Sequence, residues 1–334
     1  MFYIYYYLVY YLYYFYENYM KNEERKEEEE VEPEPKEDLE NHEEQQYLDL
    51  IRHIMDHGFY EKGRNGNTYS VFGYTMRFQL QNGRIPILTT KQVAIKTCFK
   101  ELMWFLSGST DNEILNSQGV HIWDGNSTPE FMQSRGLSHY RKGLLGPIYG
   151  FQWRSFNAEY DPMTGNVYSI YPGIDQIQQI IDQLRNPETR NSRRLLLTAW
   201  NPCALDEMAL PPCHVLAQFN VHQDKYLSCS LYQRSGDVGL GVPFNIASYS
   251  LLTILIAHHC GLEPYEFIYF LGNAHIYENH IEPLKEQIER VPYSFPRIQI
   301  NGGIQEKIED YTWNNIEFIS KYQYHPSIKM EMVA

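Results

Sequence analysis

The chain has five cysteines, and one of them stands apart by its neighbours. Cys213 follows Pro211 and Pro212, which fix the backbone and remove two amide donors, and it opens the strand-like run His214 to Val221. Cys98, Cys229 and Cys260 lie inside helix or strand patterns and read as core residues. A rigid strand mouth suits a reactive thiol. The adjacent His214 is the tempting general base, yet consecutive strand residues point to opposite faces. The thiolate must therefore be favoured by another group, and arginine is the best candidate. Arg234-Ser235-Gly236-Asp237 ends the strand Tyr226 to Gln233, which a hairpin at His222-Gln223-Asp224-Lys225 returns beside Cys213. An arginine, a hydroxyl and the amides of a glycine-containing turn make a phosphate cradle. Arg193-Arg194 precedes another strand, Leu195 to Trp200, and alone reads equally well as solvated surface. The chemistry these residues point to is thiol attack on a small phosphorylated molecule.

Two further residues could assist. Glu101 lies in Phe99-Lys100-Glu101-Leu102-Met103-Trp104-Phe105-Leu106, and a carboxylate desolvated by such neighbours has a raised pKa suited to proton transfer. An exposed helix carboxylate is the simpler reading of that residue taken alone. Asn245 sits where the loop Gly241-Val242-Pro243-Phe244 enters an apolar helix, Ile246 to Cys260. It reads as an N-cap; its amide, both donor and acceptor, could also read the edge of a base.

The elements that must position these groups follow from periodicity. Tyr47, Leu50, Ile51, Ile54 and Met55 mark a helix face closed by Gly58; Tyr69 to Leu80 alternates like a strand before the turn Gln81-Asn82-Gly83. Thr97 to Leu106 and the segment from Ile174 to Leu184 read as helices. Helices and strands alternate irregularly, so the fold class is α/β of the α+β kind, a large mixed β-sheet with packed helices rather than a regular βαβ array.

The chain of 334 residues carries a net charge of −14, of which −10 lies between Glu17 and Glu44. The body is only mildly acidic, and no basic patch suggests nucleic-acid binding. No Cys-x-x-Cys pair occurs and the cysteine count is odd, which argues against a disulfide framework and for a reducing compartment, cytoplasmic or nuclear. Residues 1–20 form a Tyr-rich leader, short for a membrane span and poor as a signal peptide, with a membrane-surface contact left open. Residues 21–45 read as an acidic, disordered linker. Residues 46–334 form the folded domain.

Within that domain, Leu210-Pro211-Pro212-Cys213-His214 resembles the nucleophile motif of the thymidylate synthase family. Similar to that family too are Tyr232-Gln233-Arg234-Ser235-Gly236-Asp237, Gly239 to Tyr249, Ala274-His275-Ile276-Tyr277-Glu278-Asn279-His280, Gly146 to Arg154 and the C-terminal Lys329 to Ala334. The resemblance implies reductive methylation of dUMP by 5,10-methylenetetrahydrofolate, a consumed cosubstrate, with no metal. It implies a catalytic set of Cys213, Glu101, Tyr149, His214, Asn245 and Asp237. It assigns dUMP to Arg64, Arg234, Ser235, Asn245, His275 and Tyr277, and to Arg193 and Arg194 reaching across a homodimer formed through the sheets. It assigns folate to Lys91, Ile122, Trp123, Asp237 and the terminal Ala334. It further implies a dihydrofolate reductase in the pathway, which we expect as a separate chain.

The sequence departs from the family pattern at Gly63-Arg64-Asn65-Gly66, at Leu144 where an acidic residue is usual, and at Asn273 where Asp is common. A pyrimidine nucleotide hydroxymethylase is the nearest alternative. Asn245 argues for uracil over cytosine, since a protonatable Asp would suit cytosine better. An inactive domain tethered by residues 1–45 is the alternative from another class, and the intact Cys213, Arg234 and Asn245 set disfavours it.

Overall fold

The computed structural model describes residues 42–63 and 66–332. The helices are α1 (His42–His57), α2 (Ile95–Leu106), α3 (Asn112–Ser117), α4 (Pro129–Ser134), α5 (Tyr149–Ser155), α6 (Gln176–Arg185), α7 (Gly241–His259) and α8 (Ile281–Ile288). The strands are β1 (Phe59–Lys62), β2 (Asn67–Gln79), β3 (Leu196–Thr198), β4 (His214–His222), β5 (Tyr226–Asp237), β6 (Glu263–Tyr277), β7 (Ile298–Ile300) and β8 (Ile316–Phe318).

Six strands form one sheet in the order β1-β2-β6-β5-β4-β3. All its pairs are antiparallel except β5–β6, which is parallel. A parallel pair needs a crossover, and α7 supplies it, packing on both β5 and β6. This is the mixed sheet with packed helices that the irregular alternation predicts. The hairpin between β4 and β5 turns on Gln223 (φ 52°) and Asp224 (φ 56°), the paired positive φ of a tight hairpin whose twist matches its strands.

The face of the sheet turned toward α7 is the core. Ala217, Leu231 and Tyr269 lie in one row across β4, β5 and β6 and are buried. Each fully buried Leu or Ile side chain contributes about 1.5–3 kcal/mol. The next row, Leu216, Tyr232 and Phe270, points the other way and is exposed. An alternation this regular, apolar on both faces, leaves the row Leu216, Tyr232 and Phe270 uncovered among the described residues.

Three sequence expectations change. The acidic linker does not run to residue 45, because Glu43 and Glu44 form the first turn of α1 and Glu44 is fully buried. The rest of the leader and linker lies outside the described residues, as do Arg64, Asn65, Val333 and Ala334. The helix expected from Ile246 begins at Gly241. Pro243 falls in its first turn, where no amide donor is needed, so the Gly-Val-Pro run opens the helix instead of preceding it. Asn245 is accordingly inside the helix and not its N-cap. Finally, β6 has no counterpart in the sequence reading. It is central, flanked by β2 and β5, and its apolar residues lie on both faces, which removes the period-2 signal.

Candidate active site

The site is built at the mouths of β4 and β5. Cys213 lies just before β4, half-buried, and its backbone N–H donates to the Tyr149 hydroxyl at 2.7 Å. Its carbonyl accepts from the Arg234 amide at 3.0 Å, which closes the hairpin expected from the sequence. The two prolines do more than stiffen the chain. Arg234 Nε donates to the Pro212 carbonyl at 2.9 Å and Nη2 to the Pro211 carbonyl at 2.8 Å. The guanidinium also stands over the Trp200 ring at 5.5 Å, a favourable cation–π distance. Thus Arg234 is fixed beside the thiol, with Nη1 uncommitted among the described residues. Burial pushes the Cys213 thiol up from its usual pKa, while the Arg234 charge and then the Tyr149 hydroxyl oppose that rise.

His214 is buried between Tyr149 (ring centroids 5.0 Å) and Tyr249 (5.2 Å). Burial holds its pKa down at about 4, against a smaller opposing effect from the Asn245 side chain. It is therefore neutral near pH 7, and the groups acting on the thiol are Arg234 and Tyr149. The sequence argument against His214 as the thiol's base agrees with this arrangement.

Glu101 projects from α2 into an aromatic wall. Trp123 Nε1 donates to its Oε1 at 2.8 Å. Trp123 packs against Trp104, Phe105 and Tyr149, and Tyr149 against Phe105 at 4.9 Å. Burial carries the Glu101 carboxyl up to about 7, with the Trp123 bond as the opposing influence. The exposed-helix reading of this residue is thereby set aside. Ile122, beside Trp123, is half-buried against the core. The segment bearing both is tied down by Asp124, which accepts from Asn112 at 2.8 Å and pairs with His121.

A parallel register lays the far side of the site. Ser235 pairs with Asn273, and Asp237 with His275, across β5 and β6. The Asn273 side-chain oxygen is 2.9 Å from His275 Nδ1, so this departure from the expected pattern, where Asp is common, still offers an acceptor. Tyr277 stacks edge-on against His275 at 5.3 Å. Asp237 Oδ1 accepts from the Gly239 amide at 2.8 Å and the Leu240 amide at 3.3 Å. Lys91 is buried and donates to the Gly239 carbonyl. Desolvation lowers its pKa to about 8, with Asp237 working the other way. Leu144 is buried, its Cδ2 packed so closely on Gly165 that a side chain at that glycine would strike it.

The structure therefore brings together Cys213, Arg234, Tyr149, His214, Asn245 and Glu101 on one side, and Ser235, Asp237, His275, Tyr277 and Lys91 on the other. Arg193 and Arg194 are exposed ahead of β3 and form no ion pair among the described residues. Among the described residues, no hydrogen bond or ion pair joins their side chains to this cluster. Trp200 and His280 belong to the constellation and were not singled out from sequence. His280 closes one of the quoted motifs, so the signal was there without an assigned role.

Comparison with known proteins completes the picture. The family model for thymidylate synthase matches residues 45–334. The chain is 53% identical over 297 residues to the bifunctional dihydrofolate reductase-thymidylate synthase of Leishmania major, covering 88% of this chain and 56% of that protein. It is 49% identical to thymidylate synthase 1/2 of Encephalitozoon cuniculi, covering 98% of it, and 50% identical to human thymidylate synthase, covering 91%. The chain thus spans about half the length of the bifunctional relatives and nearly all of the shorter ones. With that match running from α1 through the thiol, the arginine clamp and the buried glutamate to the last residues, the chain belongs to the thymidylate synthase family.

Proposed function

We propose that the protein converts dUMP to dTMP with 5,10-methylenetetrahydrofolate as cosubstrate, releasing dihydrofolate. The observation that carries this reading is the placement of a thiol against a fixed guanidinium and of a desolvated glutamate across the same aromatic wall. Cys213 Sγ adds to carbon 6 of the uracil, which makes carbon 5 nucleophilic. Arg234 favours the thiolate by charge, and its free Nη1 faces the phosphate together with Ser235. Asn245, held against neutral His214, reads the uracil edge with one donor and one acceptor. His275 and Tyr277 hold the ribose hydroxyl. With a pKa near 7, Glu101 can both hold and release a proton at neutral pH; Tyr149 stands beside it. The folate, when bound, supplies the one-carbon unit and the hydride. Its fit rests on Asp237, whose hydrogen bonds among the described residues fall on Oδ1, and on Lys91, Ile122 and Trp123. Arg64 and Ala334, assigned by the family resemblance, lie outside the described residues.

The same reading makes the protein a homodimer. The exposed apolar row Leu216-Tyr232-Phe270 supports a second copy stacked on the sheet, with Arg193 and Arg194 crossing to the partner's phosphate site. We place the protein in a reducing compartment, cytosol or nucleus, a reading supported by its five free cysteines. A dihydrofolate reductase in a separate chain is the pathway partner we propose; the Leishmania relative carries that activity in its own name. The test is spectrophotometric: dihydrofolate formation from dUMP and methylenetetrahydrofolate by the wild type, and its loss in Cys213→Ser. Absence of the signal in the wild type would overturn the assignment.

A further inference from the structure

His280 occupies the turn between β6 and α8 and is fully buried. Its Nε2 lies 2.7 Å from the backbone carbonyl of Glu331, in the C-terminal segment. A carbonyl can only accept, so Nε2 carries the hydrogen. Its Nδ1 lies 3.7 Å from Asp237 Oδ1, too far for a hydrogen bond, and has no other partner. A buried nitrogen without a partner, aimed at a carboxylate, calls for an explanation. The ring stands between Asp237 and the Tyr277 ring at 5.6 Å, with the Lys91 charge working against its protonation. Gly239 is fitted against it: a Cβ there would come within 2.6 Å of His280 Nδ1 and 3.1 Å of Met330 Sδ. The carbonyl of that same glycine accepts from Lys91, and its amide donates to Asp237. One imidazole therefore touches the C-terminal segment on one side and the Asp237–Gly239 turn on the other.

We propose that His280 is a positioning residue that couples docking of the C-terminal segment to the orientation of the Asp237 carboxylate. This rests on the reading of Asp237 as a folate contact. Docking of Glu331 on Nε2 fixes the ring so that Nδ1 faces Asp237. A proton on Nδ1, favoured by that carboxylate, strengthens the Nε2 donor in turn, since charged donors bond more strongly. Coupling of this kind is reciprocal: whatever fixes Asp237 also holds the segment closed. The burial of the ring lowers its affinity for a proton, and the Asp237 and Glu331 partners raise it by more.

Two substitutions separate the halves of the imidazole. Glutamine can place its amide near Nε2 and keep the bond to Glu331; asparagine can place its amide near Nδ1 and keep a donor toward Asp237. In His280→Asn, amide exchange of residues 328–332 should quicken about tenfold, the loss of one strong hydrogen bond, and kcat should fall. In His280→Gln, which keeps the bond to Glu331 but loses the side facing Asp237, exchange should still quicken, by less than in His280→Asn, while KM for the folate rises and dUMP binding by calorimetry is unchanged. Exchange at the wild-type rate in His280→Gln would overturn the coupling. That readout needs no substrate, so it is independent of the assay that tests the proposed function. Should the buried substitutions not fold, the imidazole nitrogen resonances of His280 can be compared in the full chain and after deletion of residues 331–334. A displaced Nδ1 signal supports the coupling, and an unmoved one overturns it.

Discussion

Two buried glutamates divide the molecule between architecture and chemistry. Glu44, in the first turn of α1, is fully buried; Glu101, on α2, is 8% exposed. Burial raises the pKa of both. The difference is in the donors. Glu44 accepts from the amides of Thr89 and Thr90 at 2.7–2.9 Å and from the Thr89 hydroxyl at 2.6 Å. It thereby clamps the segment that ends in Lys91. Among the described residues, Glu101 accepts one hydrogen bond, from a tryptophan. A carboxylate surrounded by donors serves the fold, because removing it orphans them. A carboxylate left short of donors weakens the fold when ionised, and that deficit is what sets its proton affinity near neutrality.

The sharpest way to break this comparison is Glu101→Gln. Activity should fall by about 10²- to 10⁴-fold, the range for losing a general acid–base. Stability should move the other way. The folded pKa of about 7 lies above the ordinary 4.5. The folded state therefore binds this proton more tightly, and the stability it confers is complete below pH 4.5 and lost as pH rises through 7. The gap corresponds to about 3 kcal/mol. Urea melts at pH 5 and pH 8 should show the variant gaining on the wild type only at the higher pH.

Glu44→Ala should do the reverse. It leaves buried donors without an acceptor and should lose about 1–3 kcal/mol of unfolding free energy for each, while kcat per folded molecule changes little. A matching loss of kcat would erase the distinction between the two carboxylates.

Asn245→Asp places a third acid in the pocket, beside a histidine that is neutral. Like Glu101 it should be desolvated and carry a proton, which suits the edge of cytosine. The ratio of kcat/KM for dCMP to that for dUMP should rise at least about tenfold, the effect of one well-placed buried hydrogen bond. Unchanged dUMP selectivity would count against the role given to Asn245. The smallest effect is that of Trp123→Phe, which takes away the one hydrogen-bond donor to Glu101 among the described residues and so should raise its pKa further. The inflection in the pH profile of kcat should shift alkaline by about one unit or less.

Much of the site was legible in the sequence because its parts are local. The hairpin signal alone places Arg234 beside Cys213, and period-2 geometry alone turns His214 away from the thiol. What escaped the sequence reading depends on long-range packing. The donors to Glu44 come from a loop far along the chain, so an acidic run gave no sign of where the fold begins. The central strand β6 carries apolar residues on both faces and shows no alternation. The helix α7 is long and apolar enough to cross a membrane by composition, yet it is the buried crossover of the sheet. Only the fold tells such a helix from a span. His280 was visible as the end of a motif, but its two partners lie on segments that sequence spacing does not bring together.

The thiol at the centre has a consequence for how the protein ages. Oxidants attack thiolates, not thiols. Burial pushes the Cys213 thiol up and shields its sulfur, whereas Cys203 is exposed. Peroxide should therefore mark Cys203 first, and the sulfur that matters most is chemically quiet whenever it has nothing to attack.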